Sequence, residues 1–462
     1  MQRKIFLTLT IILSAMMFSI TAAAQQKFSV YLSGRQVVPA NNSPARGTCM
    51  VTLNQTQTQV SVECRYQNLS SNVTGAHIHD NGPVGVNGPI RFDFSFTGNT
   101  TGTIGPLTFS TTPAQVADMR SNKWYVDVHT SNFPNGEIRG QVKRVNLTSD
   151  YDGDGRTDLV VYRASDFTFY TLNSLENNLT VSIPVGRGGD GIINNVGDFD
   201  GDGRADRVMY TLDEINRITW YILQSDTNTV RIVNWGNFST DAFQPADYDG
   251  DGKLDVAVMR RSTGVWYIIE SSTGNPRYEY WGAPGDFPII GDYDGDGKAD
   301  VAVVRNQGGL LFWYIRNSTN GQMQVFQWGV NGDQISIFFP IDIDNDGKHD
   351  AMVRRAVNGQ VMHYVRRSSD GQMYSLAWGT LSLNFPLFGD YDGDGKTDFV
   401  SRQTLIGGNG QFRWHIFQSA TQTHRIVDFG QFGDLLHEEE EEEEEKPQGE
   451  MSVSSEDDLK FR

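Results

Sequence analysis

The sequence predicts an all-β protein in two folded parts: an antiparallel β-sandwich, then a β-propeller of six, alternatively seven, four-stranded blades. Three observations carry this prediction. A nine-residue acidic cluster, written DYDGDGKAD at 292–300, occurs six times in the second part of the chain. The copies begin at 150, 198, 247, 292, 342 and 390, so the cluster returns every 45 to 50 residues and belongs to a structural unit. Upstream, residues 27–144 contain no such cluster and alternate apolar with polar residues in short runs punctuated by Gly, Asn and Pro.

The chain opens MQRKIFLTLTIILSAMMFSITAAAQQ, with a basic start at Arg3 and Lys4, an apolar run, and Ala22 and Ala24 in an A-x-A arrangement. This pattern predicts a secretory signal peptide over residues 1–24, a retained membrane anchor being the alternative. No later stretch is apolar enough to span a bilayer. The mature chain is therefore expected to be secreted, extracellular or on the cell surface, or periplasmic.

Strand-like runs follow: KFSVYLSG, GTCMVTL, QVSVECRY, IRFDFSFTG and WYVDVHT. A two-residue turn at Thr56 and Gln57 would pair Leu53 with Val60, Val51 with Val62 and Cys49 with Cys64 on one face of a hairpin. In an exported chain that register supports a Cys49–Cys64 disulfide, two buried thiols being the alternative. His77 and His79 stand at i and i+2, on one face of a strand, and His129 lies in a second strand-like run. Together they form a candidate zinc or copper site, with hydrogen-bonded structural histidines as the competing reading. Two segments, GAHIHDNGPVGVNGPI at 75–90 and WYVDVHTSNFPNGEIRGQV at 124–142, resemble the signature segments of the CHRD domain. That resemblance spans nearly all of 27–144 and implies a β-sandwich without implying an activity.

From 145 to 436 each acidic cluster is followed by a β-type run (LVVY, RVMY, VAVM, VAVV, AMVR, FVSR). About twenty residues further on comes an aromatic pair or its variant, such as Trp266-Tyr267 or His363-Tyr364, then a residue-plus-glycine step such as Trp281-Gly282. A short apolar run such as FPIIG leads into the next cluster. Four short strands per unit are the signature of propeller blades. Eight of the nine tryptophans occupy these repeat positions, and Arg260, Arg305, Arg354 and Arg402 recur after the strand that follows a cluster, so both sets read as architecture. The last repeat ends at FGQFGD without a strand leading onward, and VNLTS at 145–149 is the candidate to close the ring. The units resemble FG-GAP or VCBS repeats, the calcium-binding blades of integrin α-chain heads and many exported bacterial proteins.

Within D-x-D-G-D-G-x-x-D the carboxylates fall at positions 1, 3, 5 and 9. A tight loop turns them inward on a hard cation that takes six to eight oxygens, the position-7 carbonyl and water completing the set. Glycine at 4 and 6 supplies the left-handed backbone, and Asn345 replaces the first of them in the fifth copy with the residue that best tolerates it. The predicted ligands are Asp150, Asp152, Asp154 and Asp158; Asp198, Asp200, Asp202 and Asp206; Asp247, Asp249, Asp251 and Asp255; Asp292, Asp294, Asp296 and Asp300; Asp342, Asp344, Asp346 and Asp350; and Asp390, Asp392, Asp394 and Asp398. The expected cofactor is Ca2+, about one per repeat. Magnesium prefers fewer protein ligands, and transition metals would recruit His or Cys, which these loops lack apart from His349. Without an ion, the clustered carboxylates would repel one another or protonate. The Gly-Lys-Thr at 395–397 is no phosphate loop, because Asp390 stands where that motif needs glycine.

Residues 437–462 include eight consecutive glutamates at 438–445 and read as a disordered acidic tail. The tail holds twelve acidic and three basic residues, so it carries half of the chain's net charge of −18. Six divalent ions would bring the body close to neutrality, which weakens any argument for cationic partners. No basic run or stripe points to nucleic acid. No catalytic motif stands apart from the repeat. By analogy with the propellers these repeats resemble, the expected function is non-catalytic adhesion or recognition of an extracellular protein or polysaccharide. The alternatives are a carbohydrate-active enzyme on the propeller, with two carboxylates beside its channel, and a metal-dependent redox role for the N-terminal histidines.

Overall fold

The structure, a computed structural model, describes residues 26–435 apart from residues 55, 95–97, 145–148, 176–178, 186–189, 194–196, 336–339, 381–386, 406–409 and 420. The expected signal peptide and acidic tail lie outside the described residues. Within them, no helix is long and apolar enough to cross a membrane.

Nine strands build the N-terminal part: β1 (Gln26–Ser33), β2 (Arg46–Leu53), β3 (Gln59–Gln67), β4 (Val73–His79), β5 (Ile90–Asp93), β6 (Gly102–Ser110), β7 (Tyr125–Thr130), β8 (Ile138–Gln141) and β9 (Lys143–Arg144). The cysteine hairpin has the expected register, with Leu53 opposite Val60, Val51 opposite Val62 and Cys49 opposite Cys64. The two sulfurs form a disulfide. Rather than two separate sheets, the strands make one sheet in the order β5-β4-β7-β8-β1-β2-β3-β6, with β9 paired to β1. Alternating residues face inward, Val51, Val60, Val62, Val126 and Ile138 being fully buried, and the sheet curls over them until it nearly closes. Its two end strands meet through stacked Phe92 and Phe109, whose ring centroids lie 4.5 Å apart. One helix, α1 (Pro113–Arg120), departs from the all-strand reading. Thr112 and Gln115 form a capping box with Pro113 in the first turn, and the helix buries Val116 and Met119 in the same core.

Six four-stranded antiparallel sheets follow, so the propeller has six blades and not seven. In the fourth blade the innermost strand Phe287–Ile289 precedes the aspartate cluster, and Val301–Gln307, Leu310–Arg316 and Met323–Val330 follow outward. The closing strand differs from the sequence reading. Asp434–Leu435, at the end of the last repeat, occupies the innermost place of the first blade and pairs with Tyr162 and Arg163. Of the VNLTS segment, residues 145–148 lie outside the described residues. The arginine that recurs after the cluster strand explains the fit. Asp434 accepts a two-pronged hydrogen bond from Arg163 at 2.8 and 3.0 Å, as Asp241 does from Arg260 and Asp286 from Arg305 in ordinary blades. In the fifth blade Arg355, not Arg354, makes this fork, with Asp333.

The repeated aromatics pin the strands of each blade and join blades together. The buried indole N–H of Trp220, Trp266, Trp313 and Trp414 donates to the backbone carbonyl fifteen residues on, at 2.7–2.9 Å. His363 replaces Trp in the fifth blade, and its Nε2 lies 3.1 Å from the equivalent carbonyl of Trp378. This shared polar edge accounts for the variant His-Tyr pair. The second tryptophan set reaches across: Trp235, Trp281 and Trp328 donate to the carbonyls of Tyr267, Tyr314 and Tyr364 in the next blade.

Candidate metal loops and the domain that covers them

The second to sixth aspartate clusters each join the innermost strand of a blade to the next strand, the first leads from the N-terminal domain into Leu159–Arg163, and the six loops meet on one face around the propeller axis. Their backbones are linked in a closed ring. The N–H at position 8 of one loop donates to the position-1 carbonyl of the preceding loop: Ala205 to Asp150, Leu254 to Asp198, Ala299 to Asp247, His349 to Asp292, Thr397 to Asp342 and Thr157 to Asp390, all at 2.7–2.9 Å. The last of these joins the first blade to the sixth.

Inside each loop the position-1 carboxylate accepts the N–H groups of positions 4 and 6, as Asp292 does from Gly295 and Gly297. This turn needs positive φ at both positions, and they lie between +58° and +96°, Asn345 included. The position-9 carboxylate is held as firmly. Asp158, Asp206, Asp255, Asp300, Asp350 and Asp398 each accept the position-2 N–H and that of a serine in the outer turn, Ser174, Ser225, Ser271, Ser318, Ser368 or Ser419.

Carboxylate oxygens of positions 1, 3 and 9 converge in the first, second and fourth loops, and those of Asp247, Asp249 and Asp251 in the third, each set within 4.8 Å. In the first two loops the position-5 residues, Asp154 and Asp202, ion-pair with Arg156 and Arg204. Oδ1 of Asp294 and of Asp344, both at position 3, is buried without a hydrogen bond. An all-oxygen set with unspent buried oxygens suits a hard cation such as calcium. The electrostatics agree. Burial and neighbouring carboxylates push Asp255 and Asp392 up to about 6, Asp206, Asp247 and Asp350 to about 7, and Asp300 and Asp398 to about 8. Asp158, Asp198, Asp292 and Asp390 are raised well above the usual carboxylate range for the same reasons.

The N-terminal domain covers this face. Lys143 and Arg144 of β9 point onto it and ion-pair with the position-1 residues Asp150 and Asp342 of the first and fifth loops. Gln26 donates to the carbonyl of Gly295 in the fourth loop, Gln36 to that of Gly153 in the first, and Asn122 to the carboxylate of Asp390 in the sixth. Arg204 of the second loop lies 4.5 Å from the ring of Tyr31. Five of the six loops thus touch the N-terminal domain. The central cavity left between them, lined by Gln26, Arg144, Asp292, Asp342, His349 and Asp390 among others, measures 90 Å³.

The three predicted histidines also come together. β4 pairs with β7 so that His77 faces Asp127 and Gly75 faces His129. Asp127, which the sequence reading missed, lies between the rings: its oxygens are 3.2 Å from His77 Nδ1, 3.1 Å from His79 Nε2 and 3.0 Å from His129 Nε2. The D-x-H alternation of Asp127 and His129, mirroring H-x-H in the paired strand, was the available signal.

Comparison with known proteins gives families for both parts. Residues 28–142 match the CHRD domain, and residues 150–209, 198–258 and 292–353 match the FG-GAP-like repeat. The cluster at 390 lies outside the matched segments and has the same loop geometry. No curated protein matches the chain. Among solved structures, AofleA from Arthrobotrys oligospora is similar at 10% identity and a TM-score of 0.38, over 61% of this chain and 88% of its own. An auxiliary nutrient binding protein from Bacteroides thetaiotaomicron is similar at 10% identity and a TM-score of 0.32, over 80% of this chain and 94% of its own. The chain carries a CHRD domain followed by a six-bladed β-propeller in which FG-GAP-like repeats supply the aspartate loops.

Proposed function

We propose that this is an exported, non-catalytic recognition protein, stabilised by about one Ca2+ per repeat, that offers the propeller face away from the aspartate loops to an extracellular protein or polysaccharide. The carboxylates at positions 1, 3 and 9, with position 5 where no arginine takes it, would hold the ions. Bound there, calcium would neutralise the clustered carboxylates of each loop.

The observation that carries this reading is the covering of the loop face by the chain's own N-terminal domain. At the centre of the loop ring what remains is a 90 Å³ space, well short of the ~300 Å³ at which ligand pockets begin, and a wider cleft of 480 Å³ lies at the margin between Arg46 and Arg65 of the N-terminal domain and Asp200 and Asp202 of the second loop. The antiparallel blades put their other turns at the opposite end, and that end carries exposed apolar side chains: Phe167, Ile215, Phe238, Phe287, Leu310 and Phe432. Ile215 and Phe432 are 63% and 78% exposed. These exposed apolar side chains are the contacts this end would offer a partner.

The test is an array of polysaccharides and extracellular matrix proteins probed with the mature protein in calcium. Saturable binding is expected, weakened at least tenfold by Ile215→Asp with Phe432→Asp, while the melting temperature stays unchanged. New reducing or unsaturated ends released from a polysaccharide would overturn the non-catalytic reading in favour of a lyase or hydrolase.

A further inference from the structure

We propose that His77, His79, His129 and Asp127 form a four-coordinate site for a zinc-type divalent ion in the CHRD domain, independent of the calcium loops.

The argument begins with the outer nitrogens. His79 Nδ1 lies 2.9 Å from the carbonyl of Gly88, and His129 Nδ1 lies 2.9 Å from that of Pro134. A carbonyl only accepts, so each of these nitrogens carries the proton, and in a neutral ring Nε2 is then a bare lone pair. Both Nε2 atoms are buried and make no hydrogen bond, although an oxygen of Asp127 stands 3.0–3.1 Å away. His77 differs in that its inner Nδ1 makes a 3.2 Å hydrogen bond to Asp127, with its Nε2 3.4 Å from Asp93; a proton moved to Nε2 would free Nδ1 as a third inner donor. Three imidazoles anchored from outside by oxygen, with the inner nitrogens directed at a carboxylate, form the arrangement that orients histidines on a metal.

Spacing and enclosure point the same way. A tetrahedral ion with bonds of about 2.0–2.1 Å sets its donors about 3.3 Å apart. The inner nitrogens lie 3.0–3.2 Å from Asp127, and one donor atom from each residue fits within 4.8 Å. His79 and Asp127 are buried, at 7% and 6% exposed, and the His77 and His129 side chains are 16% and 17% exposed, so the set is largely shielded from solvent. The surroundings leave room and fix the rings. Gly75 stands opposite His129, where a Cβ would come within 3.2 Å of the His77 ring. Tyr125 stacks on His79 at 4.4 Å, with Arg139 3.6 Å over the Tyr125 ring. Three imidazoles and one carboxylate select zinc-type ions over calcium. An ion here would tie β4 to β7 and to the segments bearing Gly88 and Pro134.

The test uses the full mature chain, stripped by chelator and then held in excess calcium so that the carboxylate loops are filled. Zn2+ and, separately, Co2+ are added, and retained metal is measured after dialysis. The expected result is one equivalent of Zn2+ retained, an intense tetrahedral visible spectrum for the Co2+ form, and loss of both in His79→Gln. Asp93→Asn changes a side chain that is 83% exposed and so tests the site without disturbing the fold. It should weaken Zn2+ affinity about tenfold. The proposal is overturned if the unmodified chain retains no more Zn2+ than His79→Gln, or if Asp93→Asn leaves the affinity unchanged and the Co2+ form shows only weak octahedral colour.

Discussion

Stripped of calcium, the protein is expected to lose stability steadily as pH rises from about 4 to about 8, and added calcium should abolish that loss. The sign follows from the loop carboxylates. In the ion-free fold seven of them are pushed to between about 6 and about 8, above an unfolded value near 4. Between those limits the folded state holds more protons than the unfolded one, so each rise in pH favours unfolding. Near the unfolded pKa the carboxyls are neutral and the crowding costs little; above about 8 the full repulsion is present. Calcium takes the place of the protons, and its binding near pH 6 should release protons in proportion to metal bound. Melting temperature against pH, with chelator and with calcium, checks both parts. A chelated protein that becomes more stable as pH rises across this window would contradict the account.

Removing the closing strand should have an effect of similar size. A chain ending at Phe432 loses Asp434–Leu435, the innermost strand of the first blade, which leaves Leu159–Arg163 with an unpaired edge and strips Arg163 of its carboxylate. The Asp434 side chain is fully buried while that of Arg163 is 21% exposed, so losing the pair's hydrogen bonds is expected to cost about 1–3 kcal/mol. Asp434→Asn should reproduce most of that loss in urea unfolding. A chain ending at Leu436, which keeps the strand and lacks only the acidic tail, should match the full chain. If the Phe432 truncation unfolds at the same urea concentration as the full chain, the ring is closed by something other than this strand.

Much of this architecture is written locally. The Cys49–Cys64 register follows from side-chain alternation about one turn, and the blade count from a cluster that returns every 45 to 50 residues. Glycines and Asn345 declare the loop conformation because few other residues adopt it. What the sequence left unread depends on residues far apart in the chain. Asp434 meets Arg163 across 271 positions, and Arg144 meets Asp342 across 198, contacts with no periodic signature. Lys143 and Arg144 look like ordinary linker charges until the fold sets them on the loop face. A carboxylate within a strand usually faces solvent, and only the pairing of β4 with β7 places Asp127 between three imidazoles. His363 was noted as a variant, but its role required knowing that the tryptophans it replaces donate a hydrogen bond.

If the six aspartate clusters are calcium sites that hold the propeller together, as proposed, a calorimetric titration of Ca2+ into chelator-treated protein, with the melting temperature followed in parallel, reads it out. About six equivalents, with a large rise in melting temperature, is the predicted result. No heat of binding and no change in melting temperature would contradict it.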